Sequence, residues 1–167
     1  PEPRMLRITK QTDYGIMLLT RMAGLPEGTV LSARDAAEWS GLSLPMVSKI
    51  LKSLARGGIV VSHRGVDGGY SLALPAQKTS VAGVIRALEG PISMVECGAH
   101  PGQCDHEIHC PVRVNWGRIN LVVERALEQV PISEMVDGKP TELLSLISET
   151  NERDSQCKTN EIPTEQR

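Results

Sequence analysis

Phenylalanine is absent from the 167 residues, and only Tyr14, Trp39, Tyr70 and Trp116 are aromatic. That scarcity argues against a platform that stacks unpaired bases on successive rings. No apolar run approaches the roughly 18 residues that a membrane-spanning helix needs, so no membrane partner is expected. No charged and apolar leader precedes Met5, so no secretory signal is read and a cytoplasmic location is expected. Catalytic signatures are missing too. There is no phosphate-binding glycine loop, no nucleophile elbow, and no His–carboxylate constellation outside one short loop. The expectation is a protein that is not an enzyme and has no small-molecule substrate.

A basic excess is also lacking, since the net charge is −2. Its distribution is uneven, however. Residues 1–90 carry 11 Lys and Arg against 7 Asp and Glu, whereas residues 91–167 carry 7 against 13. A net +4 half followed by a net −6 half fits a DNA-binding head on a different kind of body.

Taken in order, the chain first offers three helices. Thr9 can cap one running to about Ala23, with Tyr14, Met17, Leu18, Leu19 and Met22 mainly at helical spacing. Ser32 caps a short second helix through Trp39, stopped at Gly41. Ser43 caps a third, through Met46, Val47, Ile50, Leu51 and Leu54 to Gly57, with Pro45 in its first turn where a missing N–H costs nothing. Two short helices around Gly41-Leu42-Ser43 form a helix-turn-helix pattern. A strand at Ile59–Ser62, a turn with three glycines (Gly65, Gly68, Gly69) and a strand at Tyr70–Leu74 complete a winged helix. The expected fold class is mainly α, with a two-stranded wing and a long C-terminal dimerisation helix. Double-stranded DNA is the expected partner. Ser43, Pro45, Ser48, Lys49 and Lys52 lie on the polar side of the third helix. Ser48 and Lys49 are placed for bases, Lys52 for phosphate. His63 in the wing adds a candidate phosphate contact.

Ser80 caps a further helix to about Leu88. After it comes CGAHPGQCDHEIHC, Cys97 to Cys110, with three of the four cysteines and His100, His106 and His109. Glycines and prolines make it a loop, and its density of thiols and imidazoles makes it a metal-ligand segment. Thiolates suit iron–sulfur clusters, zinc or copper(I), and the spacing does not choose among them. Structural zinc usually shows paired C-x₂₋₄-C ligands, and no such pair exists here. Pro111 then opens a helix to about Gln129. Its apolar positions Val112, Trp116, Ile119, Val122, Val123, Ala126, Leu127 and Val130 read as one stripe needing a partner, hence a homodimer. Ser133–Val136 and Thr141–Ser148 read as short helices. The polar tail from about Glu149 reads as disordered, with Cys157 a bystander.

The segments LRITKQTDYGIMLL, LSLPMVSKILKSLARGGIV and SHRGVDGGYSLA, with the three-cysteine loop, resemble the Rrf-two family of bacterial regulators. That group includes the iron–sulfur sensors IscR, NsrR and RirA. SHRGVDGGY, ALEGPI and CPVRVNWGRIN look like the branch that regulates SUF-system cluster assembly. The resemblance covers roughly Met5 to Val136. It implies a dimeric winged-helix repressor or activator whose DNA binding responds to an iron–sulfur cluster held by Cys97, Cys104 and Cys110, with 2Fe–2S ahead of 4Fe–4S. It also implies that Arg64 reads the minor groove or backbone. The position of the IscR histidine ligand is Arg113 here, which cannot coordinate. The position of the NsrR acidic ligand, supplied by the other subunit, is Asp13. His100, His106 and His109 are rival fourth ligands.

The expected organisation is a head over residues 5–90, a cluster loop over 91–110, a dimerisation helix and short helices over 111–148, and a tail over 149–167. Two alternatives stay open: a nitric-oxide or redox-sensing repressor on the same scaffold, and a zinc-stabilised winged-helix interaction module.

Overall fold

Local capping chemistry sets the first elements of the computed structural model, which describes residues 8–95, 102 and 109–136. Helix α1 (Lys10–Ala23) starts where Thr9 Oγ1 accepts the Thr12 N–H at 3.3 Å. Asp13 in its first turn and Arg21 in its last complement the partial charges of the helix ends. Helix α2 (Ala33–Ser40) starts at Ser32, whose Oγ accepts from Asp35 N at 3.1 Å and donates to the Asp35 carboxylate at 2.7 Å. Gly41 ends it at a φ of 69°, a conformation cheap only for glycine. Helix α3 (Leu44–Arg56) departs from expectation in one respect. Ser43 occupies the cap position, yet its hydroxyl makes no capping hydrogen bond.

Val47, Ile50, Leu51 and Leu54 recur at the spacing of one helix face and are at most 1% exposed. They meet Leu18, Leu19 and Met22 of α1 and Ala36 and Ala37 of α2 in one core. Each large side chain removed from water there contributes about 1.5–3 kcal/mol.

Strands β1 (Val60–His63) and β2 (Gly69–Leu72) pair antiparallel, Val60 opposite Leu72 and His63 opposite Gly69. Both begin within a residue of expectation. What lies on the other edge of β2 leaves no mark in the residue pattern. Leu31, just before α2, exchanges both backbone hydrogen bonds with Tyr70, at 2.8 and 2.9 Å. Gly69 makes that approach possible: a Cβ there would sit 2.5 Å from the Leu31 carbonyl oxygen.

A 3₁₀ turn (Ala76–Lys78) leads to α4 (Val81–Glu89), capped by Ser80 Oγ on Gly83 N at 3.1 Å. Helix α4 packs on α1 and α3. The last helix, α5 (Arg113–Glu128), spans about 24 Å at ~1.5 Å per residue. It starts two residues later than expected, because Pro111 and Val112 form a turn and Val112 is the cap. The expected apolar stripe is divided. Leu127 packs on the core and Val130 is buried, whereas Trp116, Ile119 and Val122 are 36, 44 and 67% exposed. Trp116 and Leu127, eleven residues apart, fall on the same face, so the division runs along α5: the part near Leu127 packs on the head and the part near Trp116 is open. Beyond α5 the chain returns to the head: Val81 N donates to Val130 O at 2.9 Å, and Ile132 N to Thr79 O at 2.8 Å. A second 3₁₀ turn (Ile132–Met135) replaces the helix expected from Ser133. Cys97, Cys104, His100, His106, the helix expected at 141–148, Cys157 and the tail lie outside the described residues. No helix among the described residues is long and apolar enough to cross a membrane.

Candidate nucleic-acid interface and cysteine loop

The side of α3 away from the core carries the residues predicted for DNA. Ser43, Pro45, Lys49 and Lys52 are exposed and Ser48 is half-buried. Among the described residues, neither Lys49 nor Lys52 has a carboxylate partner; the ion pairs there belong to Arg86. Arg56, one turn further on, instead donates to Ser53 Oγ at 3.0 Å. The first turns of α1 and α2 hold Asp13 and Asp35, but that of α3 holds no acidic residue. Its positive end is thus unneutralised, and the uncapped first turn leaves N–H groups for an anion.

The wing adds a second basic element. His63 and Arg64 are exposed at the end of β1. His63 Nε2 lies 2.8 Å from Ser71 Oγ, a diagonal cross-strand pair that fixes the imidazole against β2. Gly65 sits at a φ of 115°, and a Cβ on Gly68 would lie 2.7 Å from the His63 carbonyl oxygen. These two glycines therefore shape the turn. Val66 at its tip is fully exposed.

Sequence reasoning passed over Leu44 and Met46, which are 43 and 39% exposed at the start of α3. Met46 lies off the Val47–Ile50–Leu51–Leu54 face, whereas Leu44, three residues before Val47 and seven before Leu51, lies at its edge yet stays open at the first helical position.

At the cysteine loop, the structure describes both anchoring ends. Cys110 is a free, half-buried thiol three residues before the start of α5, and its carbonyl accepts from Arg113 N at 3.4 Å. His109 beside it is exposed. At the entering end, the Asn120 side chain of α5 binds the backbone of Ile92 and Met94. Sequence reasoning gave Asn120 no role. Arg86 of α4 donates to Glu128 and Glu124 of α5 at 3.0 and 2.7 Å, and these hydrogen bonds raise its pKa.

Asp13 is exposed on α1, at an open apolar groove lined by Ile16, Met17, Thr20, Trp39, Met135 and Val136. Arg21 lies over the Trp39 ring, 5.4 Å from its centroid. Among the described residues, no three His, Cys, Asp or Glu side chains gather as a metal site.

A helix-turn-helix whose outer helix and adjoining wing present cations with no carboxylate partner among the described residues is a winged-helix DNA-binding protein. The chain belongs to the Rrf2 family, iron-dependent transcriptional regulators, whose model matches residues 8–138. Members of that family are regulators, not enzymes. Solved structures agree. CymR (YrzC), the global cysteine regulator of B. subtilis, is 27% identical with a TM-score of 0.62, covering 81% of this chain and 99% of its own. A putative transcriptional regulator of Listeria innocua is 28% identical with a TM-score of 0.61, covering 82 and 91%. IscR of T. potens shares the fold at 24% identity and a TM-score of 0.58, covering 78 and 86%.

Proposed function

We propose that the protein is a homodimeric transcriptional regulator whose operator binding is set by an iron–sulfur cluster, and that its targets are SUF cluster-assembly genes. The observation that carries this reading is the arrangement around α5. The loop with three thiols has both its ends held on this helix, and α5 is tied through α4 to the head that bears α3 and the wing.

The donor set fits such a group. Cys110 is free and half-buried at the foot of α5, and thiolates are the ligands that clusters take. Cys97, Cys104 and Cys110 would hold it, with Asp13 of the second copy as the candidate fourth ligand and 2Fe–2S the expected type. When bound, the cluster supplies a rigid cross-link among these ligands. One oxygen ligand in place of a thiolate makes the site more labile, as suits a sensor. The open face of α5 at Trp116, Ile119 and Val122 supports pairing with a second copy. We assign the head to residues 5–90, the cluster loop to 91–110, the dimerisation region to 111–148 and a tail to 149–167.

In this reading Ser48 and Lys49 face base edges. Lys52, His63 and Arg64 face phosphate or the minor groove, and Ser43 and Pro45 shape the uncapped start of α3. Acting as ligands, Cys97, Cys104 and Cys110 would fix the loop ends, and α5 and α4 would couple those ends to the spacing of the two heads. Coupling of this kind is typically worth 1–3 kcal/mol. The likeness to the cysteine regulator CymR favours a second reading, a redox sensor on this scaffold without a cluster.

Anaerobic purification followed by native mass spectrometry separates the two. The cluster reading expects brown dimers with iron and sulfide near stoichiometric; colourless protein, or protein carrying zinc, overturns it. Asp13→Ala is expected to shift the visible spectrum and hasten cluster loss. An unchanged spectrum and lifetime removes Asp13 from the site.

A further inference from the structure

We infer that Leu44 and Met46 read thymine methyl groups, so that each half-site carries T·A pairs beneath the start of α3. The inference rests on the reading that α3 enters the major groove.

The two side chains are 43 and 39% exposed, whereas their neighbour Val47 is fully buried. Neither belongs to the core, nor to the partly buried shell packed against it. Local folding does not call for them either. The residues that staple a helix start are the one before the cap and the fourth helical residue, here Leu42 and Val47. Both of those lie in or against the core. Leu44 and Met46 are instead the first and third residues of α3, and Pro45 between them has no N–H to offer. The first turn therefore carries one open apolar side chain on each side of its polar face, Leu44 on the Ser48 side and Met46 on the Lys49 side.

That turn is the part of a recognition helix that meets base edges. Leu44 lies one turn before Ser48, and Met46 one turn before Lys49, so both border the polar residues of the same face. Of the four bases, only thymine offers an apolar group in the major groove, its C5-methyl. Guanine, adenine or cytosine under this turn would lose water from a donor or acceptor and gain no partner. Lys49 and Lys52 alongside favour a polyanion over an apolar protein surface as the occupant.

The test uses the full chain and a duplex that it enriches from a random-sequence pool. The duplex is remade with deoxyuridine replacing one thymidine at a time, which deletes only the methyl. At one or two positions per half-site the affinity is expected to fall about fourfold, the loss for one buried methyl group. In Met46→Ala or Leu44→Ala the thymine-to-uracil ratio at one such position is expected to fall to near one, with random-sequence affinity and its salt slope kept. The uracil series on the unaltered protein needs no variant to fold. Tight binding to the enriched duplex with no uracil effect anywhere overturns the inference and leaves the groove reading standing. Failure to enrich any duplex takes down the groove reading, and this inference with it. Melting or salt-slope changes in both alanine variants, with an unmoved uracil ratio, assign the pair to a protein contact instead and overturn it too.

Discussion

Asn120 Nδ2 donates to the Ile92 carbonyl at 2.8 Å, and Oδ1 of the same amide accepts the Met94 N–H at 3.1 Å. One side chain of α5 thus satisfies two backbone groups in the strand of chain that leads into Cys97. Asn120→Leu keeps the approximate volume and removes both bonds. The expected cost is about 1–3 kcal/mol of stability. If the loop holds a cluster, visible absorbance of the anaerobically loaded protein will decay faster in the variant. Metal-free DNA affinity should stay as it was. Equal decay rates in the two proteins would remove Asn120 from the support of the loop.

Gly69 marks the closest backbone approach in the wing. An alanine Cβ would meet the Leu31 carbonyl oxygen at 2.5 Å, and that oxygen is fixed by its own hydrogen bond from Tyr70 N. Gly69→Ala should lower stability by about 1–3 kcal/mol, the usual range for overpacking. It should also weaken DNA binding, since the displaced strand carries the wing. Thermal melts and DNA titrations on one preparation check both effects. A variant as stable as the parent would show that the Leu31–Tyr70 bridge yields easily.

Salt titration separates the cations. Lys52→Ala and Arg64→Ala each delete a side chain with no carboxylate partner among the described residues. If each neutralises one phosphate, the slope of log affinity against log salt falls by about 0.9 per substitution. Arg56→Ala should change it less, because that guanidinium is already turned toward Ser53. A slope unaltered in Lys52→Ala and Arg64→Ala would place both side chains off the DNA.

The Arg86 fork is a modest contributor by comparison. Its guanidinium is 40% exposed, so Arg86→Gln should cost under about 1 kcal/mol, and less at high salt. A raised pKa stabilises the fold below the unfolded-state value and loses that effect only as pH climbs past the folded one. For a guanidinium both lie far above neutrality. Denaturant melts of parent and variant at pH 6 and pH 9 should therefore differ by the same small amount. A gap that widened with pH would mean another group titrates with the fork.

The head was largely readable because its signals are local. Thr9, Ser32 and Ser80 cap the helices they were assigned, and Gly41 ends α2 as its conformational freedom allows. Ser43 shows the limit of that logic: residue type marks a helix start without dictating that the hydroxyl binds it. Contacts between distant segments left less trace. Nothing near Leu31 alternates as a strand should, because its pairing depends on β2 and on the missing Cβ of Gly69. The stripe on α5 was visible, but its division along the helix into a covered and an open part depends on how much of it the head reaches. Leu44 and Met46 were hidden for another reason. Polar residues invite a functional reading and apolar ones are assumed to be core; the helical wheel sets Met46 apart, but it places Leu44 beside Leu51, so only the structure shows Leu44 to be open.

The return of the chain after α5 has a mechanical consequence. Val130 and Ile132 are bonded to Val81 and Thr79 at the base of α4, whereas the opposite end of α5 follows directly from Cys110 and its middle, at Asn120, holds Ile92 and Met94. Such a helix behaves as a lever with a fixed pivot. Were its loop end displaced, the bonds at Val130 and Ile132 would turn that displacement into tilt rather than sliding.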